Sequence, residues 1–512
     1  LSLHDALPIL PRHDPDKWFA YGMYNMQDVV TEMECYRRLS AFPVPEEVEK
    51  QWQIDIRMNA AGVGIDRQLV DGALAIDEEN KKALLEEAYE LTGLSNPNSR
   101  NQLLDWLNSN TNLELEKLTK DSVAAAMTDA DDVAKKVLTI RKKLAKSSVS
   151  KYEMMASATG NDGRLRGTLQ FYGANRTGRW AGRLLQVQNL PRNYITNLDI
   201  ARDLVKASNR VGLGLLFGDV SDTLSQLIRT AIVAKDGYTL CVADFSAIEA
   251  RVIAWLPGET WRQKVFAEGG DIYCASASSM FGVPVVKHGV NGHLRQKGKV
   301  AELALSYQGG VNALKAMGAL DMGLTEEELP NIVELWRQAS PKIKEFWYTI
   351  EKAAVYTVTT GNPMTIDHGI TFRLEVDPFY GYRYMTIELP SGRKLFYPDP
   401  HIKLNNFDKE AVHFKTQLNN AWVTESTYGG KLVENITQAV ARDCLALTLT
   451  RLSENGLPAI MHIHDEAVIE VPKDEADEYL DIVEKTFALP IPWAEGLVLT
   501  AAGFTNDYYM KD

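Results

Sequence analysis

Positive charge is in short supply. Against 68 Asp and Glu the 512-residue chain carries 55 Lys and Arg, for a formal net charge of -13. No global cationic field steers it toward nucleic acid or an anionic membrane, so any phosphate contact must come from local patches. Cysteine is scarce too. Cys35, Cys241, Cys274 and Cys444 make no C-x-x-C pair. That excludes the common zinc frameworks and a disulfide scaffold, and it fits a reducing cytoplasm. No apolar run reaches the roughly 18 residues of a membrane-spanning helix, so no membrane partner is expected. Signal peptide, internal repeat and low-complexity tract are all missing. So is an initiating Met. Residues 1–9 (LSLHDALPI) back-translate onto a common short-read sequencing adapter. They are expected to be an assembly artefact on a gene cut upstream.

What is present suffices for several cores. At 45% hydrophobic, the length suits roughly three or four domains. Residues 15–41 have helical spacing and carry a Tyr24-x-x-x-Asp28 pair. Pro43 and Pro45 break the chain, and a helix is predicted over 46–61, closed by Gly62. Residues 67–155 read as charged helices over 77–91, 98–108 and a long last one. That last helix ends in Arg141, Lys142, Lys143, Lys146 and Lys151. Such a run is either a solvated face or a track for a phosphate backbone. Residues 162–192 then change character. Arg176, Arg179, Arg183 and Arg192 alternate with Gln186, Gln188 and Asn189 on irregular backbone. These side chains suit phosphates and groove edges.

Three further stretches place chemistry beside regular structure. In 240–256 (LCVADFSAIEARVIAWL) an apolar run fit for a buried strand ends at Asp244. Helical spacing follows, with Glu249 one turn on. A carboxylate there is a helix cap, or it is paired, or it holds a metal. In 295–310, Arg295, Lys299, Leu303 and Tyr307 recur every four residues, giving one stripe of two cations, an apolar side chain and a phenol. A polyphosphate with a flat ring beyond it would suit such a stripe. In 459–471 two apolar strands flank a turn at His464-Asp465-Glu466. Between the last two, 346–425 holds aromatic-rich strands at 372–376, 382–388 and 394–397. A helix is predicted over 431–455.

In this order the stretches resemble motifs A, B and C of family A DNA polymerases. Motif A resembles D-Y-S-Q-I-E-L-R at 244–251. Motif B resembles R-x3-K-x3-F-x3-Y-G, with Leu303 in the aromatic position. Motif C resembles V-H-D-E at 463–466, with Ile463 first. The loop Thr177-Gly178-Arg179 through Gln188-Asn189-Leu190-Pro191 is similar to the family's T-G-R…Q-N-I-P, and Gln438 resembles the Gln before motif C. The likeness spans about residues 50–512, and 346–425 looks more like phage or prophage members.

The resemblance implies an α+β right-hand fold. Residues 10–45 would be a remnant of a 3′–5′ exonuclease domain, and 46–155 a helical thumb. Residues 156–256 with 426–512 would form an antiparallel-sheet palm, and 257–425 helical fingers with an insertion. It implies primer extension with dNTPs on a DNA template, in phage replication or repair, by a chain acting as a monomer in the bacterial cytoplasm. Two Mg²⁺ ions, with Mn²⁺ able to substitute, would be held by Asp244, Asp465 and the Phe245 carbonyl, with Glu466 in support. Arg295 and Lys299 would hold the triphosphate, with Lys299 also the acid for the leaving pyrophosphate. Leu303, Tyr307 and Tyr273 would complete the nucleotide site, and Glu249 would screen the sugar. Arg179, Gln188, Asn189, Gln438 and His464 would touch DNA.

Some departures stand out. Leu303 forgoes ring stacking, Tyr273 stands where the family often has His, and Ala247 stands where it usually has Gln. The exonuclease's other carboxylate motifs would lie upstream, so no proofreading is expected of this chain. Two alternatives share parts of the pattern: a single-subunit RNA polymerase, and a non-catalytic DNA-binding protein of the same fold.

Overall fold

A computed structural model describes residues 12, 14–40, 42–146, 149–405 and 407–511. The adapter expectation for 1–9 lies outside them. The chain forms two compact units. One comprises residues 51–272 and 435–512, the other 1–50 and 273–434.

At the centre of the first unit is a four-stranded antiparallel sheet. Its order is Ala459–Ile463, Glu466–Pro472, Tyr238–Phe245, Ala501–Asn506. The strand Tyr238–Phe245 is covered on both faces, which is why it reads as a continuous apolar run instead of alternating. Val242, Ile463 and Val468 join Leu69, Tyr152, Leu224 and Ile232 in one core. Each such side chain contributes roughly 1.5–3 kcal/mol when fully buried. A one-residue slip of the sheet would therefore expose several of them at once.

The helix Arg67–Thr92 packs on this core. Asp66 caps it, accepting from Leu69 N at 3.1 Å, and Gly93 ends it at φ 65°. This single helix replaces the shorter one predicted over 77–91. Its first turns bury Leu69, Val70, Ala73 and Ile76 on one stripe, and these hold the helix beyond its charged end. The predicted long basic helix is three, Lys120–Asp129, Asp132–Leu144 and Ser150–Ala158, the last carrying Lys151; Asp131 caps the second start onto Ala134 N at 2.8 Å. Part of its basic run closes a seam within the unit. Lys146 reaches Asp222 at 2.6 Å and Lys143 faces Asp219 at 4.0 Å.

The second unit is helical only as far as Thr360. From Met364 two antiparallel sheets follow, and they include the strands predicted at 372–376, 382–388 and 394–397. One has order Lys394–Pro398, Arg383–Glu388, Thr371–Val376, Met364–Thr365. The other has order His401–Leu404, Glu410–Leu418, Ala421–Ser426. Alternating aromatic and β-branched residues and the turn at Gly392 (φ 81°) favour hairpins here. The helix Pro15–Leu39 has no buried residue. Its end is pinned to the insertion: Arg38 lies 4.7 Å from the Tyr380 ring, and Tyr380 donates to Glu34 at 3.0 Å. Among the described residues no helix is long and apolar enough to cross a membrane.

Candidate active site

Antiparallel register makes Asp244 and Glu466 direct cross-strand partners. Asp465 comes from the two-residue turn between the strands ending at Ile463 and starting at Glu466. His464 there takes φ 55°, the left-handed backbone that tight hairpins need. Phe245 N donates to the Asp465 carbonyl at 3.2 Å, which ties the turn to the end of the Asp244 strand. The structure thus gathers Asp244, Phe245, Asp465 and Glu466 at one end of the sheet, termed the carboxylate edge.

Burial, then the Asp244 charge, pushes Asp465 up to about 7. Burial also raises Glu466, against the pull of Lys511. Asp244 Oδ1 is buried and accepts no hydrogen bond. Such an oxygen is costly unless a cation covers it, so the donor set fits a divalent ion. Among the described residues no cluster of three His, Cys, Asp or Glu forms a full ligand set.

Asp244 is not a helix cap. The helix Ile248–Trp255 starts after Ala247, which stands at φ 53° with no side-chain cap. Left-handed backbone costs a non-glycine residue roughly 1–2 kcal/mol. Glu249, in the first turn, is ion-paired with Arg179. His464 lies close by, its pKa lowered first by burial and then by Arg179 and Lys511. The Gly178-Arg179 loop is anchored by Arg442, whose Nε donates to Gly178 O at 3.0 Å while its guanidinium lies 4.4 Å from the Trp180 ring. Gln188 fills the space above Gly182, where a Cβ would meet its Oε1 at 2.2 Å. Asn189 donates to Gln186 Oε1 at 3.4 Å. Gln438 is half-buried on the helix Gly429–Glu454, one turn before Arg442.

Arg295, Lys299, Leu303 and Tyr307, expected to meet the nucleotide, belong to the second unit. Arg295, Lys299 and Leu303 lie on the helix Leu294–Leu305. Tyr307 lies beyond its end, so the stripe is not wholly helical. The helix buries Val300, Ala301, Ala304 and Leu305, and Leu303 is 50% exposed. Buried Glu302 accepts from Trp336 Nε1 at 2.9 Å and fixes the helix's rotation. At Gly298 a Cβ would strike Tyr273 O at 2.2 Å. This close crossing puts the Tyr273 ring 5.2 Å from the Arg295 guanidinium. Tyr273 is therefore a shelf for Arg295. After Tyr307, Gln308 Oε1 accepts from Gly430 N at 2.9 Å, and a Cβ on Gly430 would meet Tyr307 O at 2.4 Å.

Sequence reasoning missed Lys511, Tyr509 and Arg442. Lys511 Nζ lies 3.2 Å from Asp244 Oδ2 and 3.1 Å from Glu466 Oε2, and Tyr509 donates to Glu466 Oε1 at 2.7 Å. No periodicity marks 508–511. Arg442 had one available signal, its position four residues after Gln438 on the same helical face.

Residues 74–364 match the model of DNA polymerase family A. The chain is 50% identical over 506 residues to the DNA polymerase of Bacillus phage SP02, covering 98% of this chain and 77% of that protein. It is 26% identical to the thermostable DNA polymerase I of Thermus thermophilus, covering 87% of this chain and 46% of that one. It therefore spans about half the length of that cellular relative. In fold it is similar to the POL domain of Pol1 from M. smegmatis, solved in complex with DNA primer-template and dNTP. That match has a TM-score of 0.59 at 17% identity, covering 90% of this chain and 69% of the other.

Proposed function

The chain belongs to DNA polymerase family A, a family of DNA-directed DNA polymerases represented here in its phage type, and from that premise we propose that it extends a primer 3′-end with dNTPs through a cation site on Asp244 and Asp465. The observation that carries this reading is the carboxylate pair itself. Asp244 Oδ1 is buried without a donor, and Asp465 is lifted to about 7 beside it. Primer-template DNA and dNTPs are the proposed partners.

In this reaction the primer 3′-hydroxyl gives its proton to solvent, its oxygen bonds to the α-phosphorus, and the bond from that phosphorus to the α–β bridging oxygen breaks as pyrophosphate departs. Positioning and charge neutralisation supply most of the acceleration. Asp244, Asp465 and the Phe245 carbonyl hold Mg²⁺, which when bound supplies positive charge to the attacking and leaving oxygens. Arg295, steadied by Tyr273, holds the triphosphate with Lys299. Lys299 donates a proton to the leaving pyrophosphate. Leu303 and Tyr307 flank the base. Glu249 crowds a 2′-hydroxyl and so favours deoxynucleotides. Arg179, Gln188, Asn189, Gln438 and His464 contact the primer end and minor groove, reading features that correct pairs share.

The proposed division is thumb at 46–155, palm at 156–256 with 426–512, and fingers at 257–425. Residues 10–45 are the proposed tail of an exonuclease domain.

Extension of a primed template with Mg²⁺ tests the reading. Wild-type protein extends with dNTPs and poorly with rNTPs, and Asp244→Ala retains DNA binding without extension. Unimpaired extension by Asp244→Ala would sink it.

A further inference from the structure

Glu466 and Asp244 do not face each other bare. Both Glu466 oxygens are taken, Oε1 by the Tyr509 hydroxyl at 2.7 Å and Oε2 by Lys511 Nζ at 3.1 Å. The same ammonium reaches Asp244 Oδ2 at 3.2 Å. One cation therefore bridges a carboxylate proposed to bind metal and its cross-strand neighbour.

Its placement is built, not incidental. Asn193 is buried and grips the Lys511 backbone from both sides. Lys511 N donates to Asn193 Oδ1 at 3.1 Å, and Asn193 N donates to Lys511 O at 3.2 Å. Asn193 Nδ2 donates in turn to Gln226 O at 2.5 Å. Tyr509 is fully buried, and its backbone N donates to Ile232 O at 2.8 Å. Arg229 lies 5.7 Å from the Tyr509 ring and donates to Leu190 O at 2.6 Å. These bonds fix where the lysine chain can reach. Only 27% of its side chain is exposed.

We propose that Lys511 is a built-in counter-cation of the active site, a positioning residue that holds Asp244 and Glu466 in place and competes with the incoming divalent ion for Asp244 Oδ2. The inference rests on the cation site proposed above. Two cations drawn to one oxygen disfavour each other, and the penalty is reciprocal. Glu466 then acts as the lysine's resting place, since both its oxygens already accept bonds. When a divalent ion takes Asp244, Lys511 keeps its contact with Glu466 and stays beside the site.

Direct Mn²⁺ binding, measured by electron paramagnetic resonance of free Mn²⁺ without DNA, tests this. Lys511→Met is expected to bind Mn²⁺ roughly fivefold or more tightly than wild type, the lower end of a typical coupling. Lys511→Arg keeps the charge and should stay within about twofold of wild type on the same reasoning. Unchanged or weaker Mn²⁺ binding by Lys511→Met would overturn the inference. Should that variant not fold, Lys511→Gln removes the charge while keeping a donor for Glu466 and carries the same comparison. Asp244→Asn separates the two levels. If it loses Mn²⁺, the cation site stands and the lysine variants decide. If it binds like wild type, the cation reading fails and the lysine inference falls with it.

Discussion

The carboxylate edge and the helix Leu294–Leu305 place their charges by opposite means. At the carboxylate edge the backbone does most of the work. Cross-strand register fixes Asp244 against Glu466, a two-residue turn presents Asp465, and Tyr509 and Lys511 hold Glu466 from both sides. On the helix, the buried face is fixed by Val300, Ala301, Leu305 and the Trp336–Glu302 bond. Leu303 projects half-exposed, and the Arg295 guanidinium lies 5.2 Å from the Tyr273 ring. Rigid placement belongs where two like charges must be kept close. Reach suits the helix proposed to meet the nucleotide.

Substitutions can break that contrast. The largest effect is expected at the rigid edge. Asp465→Asn should lower single-turnover extension by about a thousandfold or more with DNA affinity kept, as for a group acting on the transition state. A loss of only a few-fold would mean that the edge is not where the chemistry lies. On the helix, Arg295→Ala should cost roughly ten- to a hundredfold in kcat/KM for dNTP, the worth of charge-assisted hydrogen bonds. The loss should appear mainly in KM, and steady-state kinetics across dNTP concentrations would show the split.

A third test probes how tightly the rigid edge is packed. His462 is fully buried against Trp180, and neither ring nitrogen has a hydrogen-bond partner. Burial, then Arg442 and His464, lowers its pKa to about 3. Below pH 6.5 the unfolded chain takes up a proton that the folded chain refuses. Stability present above that pH is therefore lost as pH falls toward 3, by about 2 kcal/mol at pH 5. His462→Phe should remove that contribution, so the variant's melting temperature relative to wild type should rise as pH falls from 7 to 5. The smallest effect is expected at Leu303, because its exposed side has little packing to disturb. Leu303→Phe should change dideoxynucleotide discrimination by roughly two- to tenfold, the worth of one ring contact. Equal ratios would show that the exposed position does not meet the nucleotide.

Much of the edge was legible in the sequence. The apolar run before Asp244 and the hairpin around His464-Asp465 follow from periodicity, and motif order joined them across more than two hundred residues. What could not be read was long-range pairing without a pattern. Lys511 reaches Asp244 through backbone bonds to Asn193, which no spacing encodes. Arg179 pairs with Glu249, 70 residues further along the chain. The Ala247 departure has a location but no cause: the residue stands in left-handed backbone before its helix, and nothing in the structure explains Ala there. Tyr273, expected to complete the nucleotide site, lies where the close crossing at Gly298 sets its ring beside the Arg295 guanidinium, a contact that no spacing in the sequence encodes.

The order of the strands along the chain bears on how the protein is made. Tyr238–Phe245 is flanked in the sheet by Glu466–Pro472 on one side and Ala501–Asn506 on the other. A ribosome releases Asp244 long before either neighbour exists, and Lys511 later still. A nascent chain therefore exposes an unpaired apolar strand ending in a carboxylate until Glu466–Pro472 has been made. Protection of that strand during translation is a demand that the finished molecule no longer displays.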